Sequence, residues 1–557
     1  MNFRKLTVAA LALAMLAGCG SSSAPAAPAE SGGADATADT SAETTGGKTL
    51  TVAITADLNT MDYHVATDGT SFIMHSMCIG GLTQLDENAQ PAPDLAESWD
   101  VSEDGTVYTF HLRDGLTWSN GTPLTANDFV YGWQRLVDPE LQSEYAFIET
   151  AVGVHNASAV FNGELPAEEL GVKALDDKTF EVTLDQPCGF MLGLTAFPSF
   201  FPLNKEFFEA EGDNFALSIN DMIFCGPYVM SGWEAGTEYT FTKNPNYWNA
   251  ANCGDYADEV VFRFAPDTQS AALAYLQDHT LDVVTLSGEL VDQYADTEGY
   301  TNRLTGYAWR LEINLNNEAL ANKNLRKALS LSINRDSIAK DVLKDGSVAA
   351  EGFIPKDFAF GPDGKDYRET AGNMVDFDVE AAQKFYADAV AELGGDPTIT
   401  LLFEDSEASK AVAENIQYMW QSNLPGITIN LDSKTKKERL NLMNELNYDI
   451  GLTRWGPDYA DPQTYMDLYK SDTDGYNKSY FSADYDAILN KAETGEDAAD
   501  ANARWNDMIE AEKIVLEDVA LIPVYQNGGA ILINPAVSGI QFHNAGVDSY
   551  RFVTIAD

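Results

Sequence analysis

The residues best placed to do chemistry are Trp455-Gly456-Pro457-Asp458-Tyr459-Ala460-Asp461-Pro462. Two carboxylates and two aromatic rings follow directly on Tyr448 to Leu452, a run that reads as a strand. Gly456-Pro457 breaks that strand, because glycine is conformationally permissive and proline has no N–H to give to a ladder. A carboxylate held beside aromatic faces at a strand end suits a cationic group such as an ammonium. The same residues also fit a plain turn with an Asp cap and a packed Trp, and so short a motif does not choose between the two by itself.

Signatures of other chemistry are missing. There is no Gly-x-Ser-x-Gly elbow, His-Glu-x-x-His helix, P-loop or Gly-x-Gly-x-x-Gly. His64, His75, His111, His155, His279 and His543 are scattered, and no Cys-x-x-Cys occurs. No zinc, haem or other cofactor site is therefore assigned. Neighbouring carboxylates such as Asp176-Asp177, or Asp458 with Asp461, arise by chance in so acidic a chain. The reading is a binding protein with no catalytic residues.

The chain has 557 residues, 45% hydrophobic and 11% aromatic, enough for several large cores. Its 34 Lys+Arg against 86 Asp+Glu leave a formal charge of −52. That excludes a nucleic-acid partner, which needs a basic footprint, and fits solubility or the attraction of cationic ligands.

The amino terminus reads as an address. Arg4 and Lys5 precede an apolar run from Leu6 to Ala17, too short to span a membrane as a helix, as a signal peptide over 1–18 requires. It ends Leu16-Ala17-Gly18-Cys19, which resembles a bacterial lipobox whose cysteine, Cys19, becomes the lipidated first residue. From 19 to 48 the chain is Ser, Ala, Pro, Gly, Thr and acids, a flexible tether with a reach of roughly 30 Å by coil scaling. Cys78, Cys188, Cys225 and Cys253 remain for disulfides, with three connectivities open. Cys225–Cys253 is the pairing favoured, since both flank one apparent strand pair.

Around Asp458, the carboxy-terminal half alternates. Helices are expected at Val379–Glu392, Ala408–Gln421 and Thr435–Leu446, with strands at Thr398–Phe403, Ile427–Leu431 and Tyr448–Leu452. That is an α/β lobe with a partly parallel sheet, and ligands of such sheets bind beyond strand ends. A last long helix is expected over Ala501–Glu517, then short strands at Ile522–Val524 and Ala530–Ile533. Upstream, Ala96-Glu97-Ser98-Trp99 leads to an alternating strand, Val107-Tyr108-Thr109-Phe110-His111-Leu112-Arg113. Next comes Trp118-Ser119-Asn120-Gly121-Thr122-Pro123 and a helix capped by Thr125 with Asp128, burying Phe129, Trp133 and Leu136.

This patch resembles the signature of the family 5 extracellular solute-binding proteins, the peptide receptors of ABC importers, although Asn120 stands where the family commonly has Asp. Look-alikes continue in order through Gly171 to Leu184, Gly226-Pro227-Tyr228, Asn244-Pro245-Asn246-Tyr247-Trp248 and Ala328 to Arg335, so the resemblance covers roughly 48–557. It implies an α/β, periplasmic-binding-protein-like, two-lobed cleft fold with an extra inserted domain (type II, cluster C like). The expected division is a discontinuous domain I over 49–80, 205–306 and 526–557, an inserted domain II over 81–204, and domain III over 307–525.

The resemblance further implies a lipid-anchored monomer at the outer face of a bacterial, Gram-positive cell membrane. It captures extended oligopeptides and delivers them to ABC permease subunits with their cytoplasmic ATPases. Asp458 is the expected ammonium anchor, beside Trp455, Gly456 and Tyr459. Thr67, Asp68 and Gly69 match the segment facing it, Tyr145 matches a cleft aromatic, and Glu312 is expected to line the cleft. Leu452 and Met443 stand where a peptide binder could put arginine, which leaves Arg310, Arg454 and the Lys434–Arg439 cations open for the ligand carboxylate. Alternative family ligands are a nickel chelate, haem, glutathione or an oligosaccharide; outside the family, the alternatives are a surface hydrolase or an adhesin.

Overall fold

A computed structural model describes residues 47–265, 267–457, 459–471 and 479–556. Cys19 and the tether up to residue 46 lie outside the described residues, as does Asp458. Among the described residues the main sheet has eleven strands. Its order is Thr428–Lys434, Thr398–Glu404, Ile450–Trp455, Tyr300–Ile313, Leu521–Ile533, Val283–Leu286, Thr49–Ile54, Glu259–Phe264, Glu238–Lys243 and Tyr228–Glu234, with Val348–Ala349 added beside Leu521–Ile533. Thr398–Glu404 runs parallel to both its neighbours, as does Thr49–Ile54. The strands between these two parallel regions are antiparallel.

Tyr300–Ile313 and Leu521–Ile533 carry the sheet from one half of the molecule to the other. Side chains alternate across them. Trp309, Leu311 and Ile313 enter a core with Ile338, Val412 and Trp420, whereas Ala308 enters a second core with Phe353, Tyr465 and Tyr469. Expected elements recur with small shifts: Val379–Leu393, Thr398–Glu404, Glu407–Asn423, Thr428–Lys434, Lys436–Asn444 and Ala501–Glu517. Thr435 is the N-cap of its helix rather than part of it. The two short strands expected after Glu517 are one strand of 13 residues. Asn527-Gly528-Gly529 does not turn, because pairing with Tyr300–Ile313 holds it extended; the absence of a Cβ at Gly528 admits the Gly346 backbone instead.

A separate antiparallel sheet, in the order Ala96–Val101, Val107–Leu112, Thr179–Thr183, Val172–Asp176, carries the helix Ala126–Leu136. Thr125 donates from its N–H (2.7 Å) and Oγ1 (3.1 Å) to the Asp128 carboxylate. The helix buries Phe129, Trp133 and Leu136, and Trp133 donates its indole N–H to the Phe200 carbonyl at 3.0 Å.

The expected Cys225–Cys253 disulfide is absent: Cys78, Cys188, Cys225 and Cys253 are all free. Both residues do flank the hairpin Tyr228–Glu234/Glu238–Lys243, but they face different ways. Cys225 is buried against Cys78, while Cys253 is partly exposed with Sγ toward the Ala250 carbonyl.

Glu149 is fully buried and neither carboxylate oxygen has a hydrogen-bond partner. Burial therefore pushes its pKa well above the usual carboxylate range, and the folded chain holds it protonated. The unfolded chain releases that proton above about pH 4.3, so this group's effect on stability worsens as pH rises toward the folded pKa. Glu149→Gln is expected to stabilise the chain increasingly between pH 5 and pH 7, by up to about 1.4 kcal/mol per pH unit. Urea unfolding at the two pH values measures this; a pH-independent difference contradicts a protonated Glu149.

Candidate functional site

The strand Ile450–Trp455 pairs antiparallel with Tyr300–Ile313, Trp455 opposite Ala308 and Arg454 opposite Trp309. Beyond its end, Tyr459, Ala460 and Asp461 form part of the wall of a cavity of about 580 Å³. The facing wall is the stretch from Pro187 to Phe201, and its base comes from Gly81, Thr83 and the carboxy-terminal residues His543 to Arg551. The lining is largely aromatic and apolar, with Tyr108, Phe190, Phe197, Phe360 and Trp505. Such a mixture of aromatic walls with a few polar groups is what small-ligand sites present.

Two contacts join the walls. Tyr459 stacks on Phe190 with ring centroids 3.8 Å apart and planes 9° from parallel. Asp461 receives a bidentate pair from Arg504, at 2.7 and 2.8 Å, and Arg504 also donates to Gln463 Oε1 at 2.9 Å. Asp461 and Arg504 are 7% and 6% exposed. Burial opposes the guanidinium charge, but the Asp461 carboxylate more than offsets it and raises the pKa of Arg504. Gly189 is also needed here, since a Cβ would sit about 2.9 Å from the Arg504 guanidinium.

Of the site residues read from the sequence, Tyr459 lines this cavity and the other described ones do not. Trp455 is half-buried, its indole N–H donating to Thr464 Oγ1 at 3.2 Å. Gly456 lies under the ring of Tyr307, which would collide with any Cβ there. Tyr145 stacks on Phe197 (5.5 Å, 16°) and meets Phe72 edge-on at 5.2 Å, so it backs a cavity wall from behind. Thr67 and Gly69 are exposed, and Asp68 between them caps the helix Gly69–Cys78. The Asp68 carboxylate accepts from the N–H of Ser71 at 2.9 Å and its Oγ at 2.7 Å, so it is engaged in holding the helix.

Glu312 does not line the cleft. It is 1% exposed and accepts from Arg310 Nε at 2.9 Å and from the Tyr469 hydroxyl at 2.7 Å. The two-residue side-chain period puts it on the face covered by Phe353 and Tyr469. Arg310, paired there, is likewise buried. Arg454 differs: its side chain is 28% exposed, lies over Trp309 (4.8 Å) with Tyr307 at 5.9 Å, and donates to Glu404 at 2.9 Å.

Sequence reasoning missed the Pro187–Phe201 wall and the His543–Arg551 base. Only the dense aromatics of Phe190, Phe197, Phe200 and Phe201 signalled the wall, and they read equally well as core.

Residues 90–477 match the family described as bacterial extracellular solute-binding proteins, family 5 Middle. The chain belongs to that family. It is 33% identical over 518 residues to the dipeptide-binding protein of Lactococcus lactis subsp. cremoris, covering 90% of this chain and 93% of that one. The substrate-binding domain of an oligopeptide ABC transporter from Bacillus anthracis has a similar structure: TM-score 0.69, 36% identity, 91% of this chain and 99% of that one. The oligopeptide-binding protein OppA of Listeria monocytogenes, solved bound to peptide, gives TM-score 0.68 at 33% identity, with 92% and 100% covered. The type II periplasmic-binding-protein-like α/β fold expected from the sequence is the fold of this family 5 member.

The Asp461–Arg504 pair yields a direct test. Arg504→Met leaves a buried carboxylate unpaired and is expected to cost about 3–5 kcal/mol. The double variant Arg504→Met/Asp461→Leu should recover most of that loss, because it removes both charges. Chemical denaturation of the three chains measures both effects.

Proposed function

We propose that this family 5 member is the peptide-binding lipoprotein of an ABC importer. The observation that carries the reading is the aromatic-walled cavity at the end of the Ile450–Trp455 strand, bounded by Tyr459 and Asp461. Relatives of nearly full-length coverage support it, one named as a dipeptide-binding protein and one solved with peptide bound. At about 580 Å³ the cavity has the size of a small-ligand site.

In this reading an extended peptide lies against the backbone that follows Trp455, and main-chain hydrogen bonds give affinity without demanding particular side chains. Asp458 takes the ligand ammonium. Arg454 takes the carboxylate: it is paired with Glu404 but its side chain is 28% exposed, whereas Arg310 is paired with Glu312 and buried in the core. The three-domain division made from the sequence is the working frame: 49–80, 205–306 and 526–557 against 307–525, with 81–204 inserted. Cys19 carries the lipid, the tether up to 48 leashes the receptor outside the membrane, and closed, loaded receptor docks on the permease.

Native mass spectrometry after incubation with a mixed peptide pool decides the function. Intact peptides retained on the folded chain are the expected result; cleaved peptides, or none retained, refute it. An Asp458→Asn variant is expected to bind a free-amine peptide about 10- to 100-fold more weakly, the loss of a charge-assisted bond contributing about 1.5–3 kcal/mol. An N-acetylated peptide should not distinguish the variant from the parent chain. Equal affinity of both chains for the free-amine peptide removes Asp458 from the ammonium site.

A further inference from the structure

Cys78 is the last residue of the helix Gly69–Cys78, and Cys225 lies just before the strand Tyr228–Glu234. They are 0% and 2% exposed. The N–H of Cys225 donates to the Cys78 carbonyl at 3.1 Å, and the N–H of Gly226 donates to the same oxygen at 2.8 Å. Backbone bond lengths and an N···O distance of 3.1 Å keep the two Cα atoms within about 7 Å, the limit beyond which a disulfide cannot close. The Cys225 sulfur accepts from the N–H of Gly80 at 3.4 Å, so it is turned toward the chain leaving Cys78. The Cys78 thiol points back along its helix, donating to the Met74 carbonyl at 3.3 Å, and a side-chain rotation redirects it. Gly226 keeps the approach this close, because a Cβ there would come within 2.7 Å of the Cys78 carbonyl carbon.

We propose that Cys78 and Cys225 are a disulfide-forming pair that fastens the Gly69–Cys78 helix to the segment before Tyr228. The oxidant is a small-molecule disulfide such as oxidised glutathione. One cysteine thiolate attacks it and expels a thiolate; the second cysteine attacks the mixed disulfide and expels the other. One S–S bond forms in the protein as one breaks in the oxidant, with two electrons passing to two released thiols. Burial pushes the Cys225 thiol up to about 12 and holds Cys78 well above its ordinary value, an effect the neighbouring Cys225 reinforces. The exchange therefore belongs to folding, before the core closes over the pair. Members of a family of extracellular proteins fold where such bonds persist. The linked helix begins at Asp68-Gly69 and presents Ser76 to the cavity, so the bond fixes a wall of the candidate site.

The full chain, unfolded in urea and refolded in reduced and oxidised glutathione, is alkylated, digested without reduction and mapped by mass spectrometry. The expected product is a joined pair of peptides holding Cys78 and Cys225, two hydrogens lighter than their sum, with Cys188 and Cys253 alkylated. The Cys188→Ala/Cys253→Ala variant should give the same joined pair. Adding reductant should lower the Tm of both chains by about 5 °C or more. Alkylation of both Cys78 and Cys225, or a link from either to Cys188 or Cys253, overturns the proposal.

Discussion

The structure depends on one pair of strands. Tyr300–Ile313 and Leu521–Ile533 are the only two neighbours in the main sheet, among the described residues, that flank both of its parallel regions at once. On one side they meet Val283–Leu286, on the other Ile450–Trp455. Their ladder slips between Leu304 and Ala308, and again between Trp309 and Arg310. At the first slip Gly306 lets Pro457 and the Asn544 carbonyl approach, and on the partner strand Gly528 admits Gly346. A backbone without side chains at such crossings costs order but leaves φ and ψ room to adjust. This short irregular stretch is also where Pro457, two residues after Trp455, packs against the strand.

The candidate site is then a consequence of convergence. No single element builds it: a strand end brings Tyr459 to Asp461, the start of the Ala501–Glu517 helix brings Arg504, and remote stretches before Phe201 and before Arg551 close it. Two kinds of contact hold these pieces in register. The Tyr459–Phe190 stack is apolar, shallow in angle and tolerant of sliding, whereas the Asp461–Arg504 pair is bidentate and directional. The ion pair fixes the orientation of the Asp461 turn while the stack fixes only a distance. This division of labour gives the turn a rigid orientation and leaves the opposing wall compliant.

The local periods made much of the fold legible. Strands at Thr398 and Ile427, helices from Val379, Glu407 and Ala501, and the capped helix after Thr125 declare themselves by alternation, amphipathic spacing and cap chemistry. What stayed hidden depends on contacts distant in sequence. Glu312 looked like a cleft acid because a charged residue near a lobe boundary reads as exposed; its burial follows from the partners Arg310 and Tyr469, the latter 157 positions away. Cys225 and Cys253 looked paired because they bracket a hairpin, yet the neighbour of Cys225 is Cys78, 147 positions earlier in the chain. Asn527-Gly528-Gly529 carries a turn composition that strand pairing overrides. Periodicity reports what a segment can be; it is silent on which remote segment it meets.

The charge of the chain shows the same gap between composition and site. A formal −52 is the sum over the whole chain. Inside, seven arginines among the described residues are buried (Arg310, Arg326, Arg335, Arg368, Arg439, Arg504 and Arg551), while no described lysine is. The planar guanidinium explains the choice, since it spreads its charge over five donors in a fixed fork and sheds hydration more readily than an ammonium. Some of these arginines meet carboxylates, as Arg504 meets Asp461 and Arg368 meets Glu512. Others need none: Arg326 is held by the carbonyls of Val519, Asp518, Leu320 and Ala321, and Arg335 by those of Pro523 and Asp376. Arg335 thus ties its helix start to the strand Leu521–Ile533, and Arg326 ties its helix to the residues just before that strand, with no acid paired to either among the described residues. Nine acids are buried beside these seven arginines among the described residues, so most of the surplus of acids lies toward the surface, where it governs solubility and encounter. Between these extremes stands Arg454, partly exposed, flanked by Trp309 and Tyr307 and donating to Glu404.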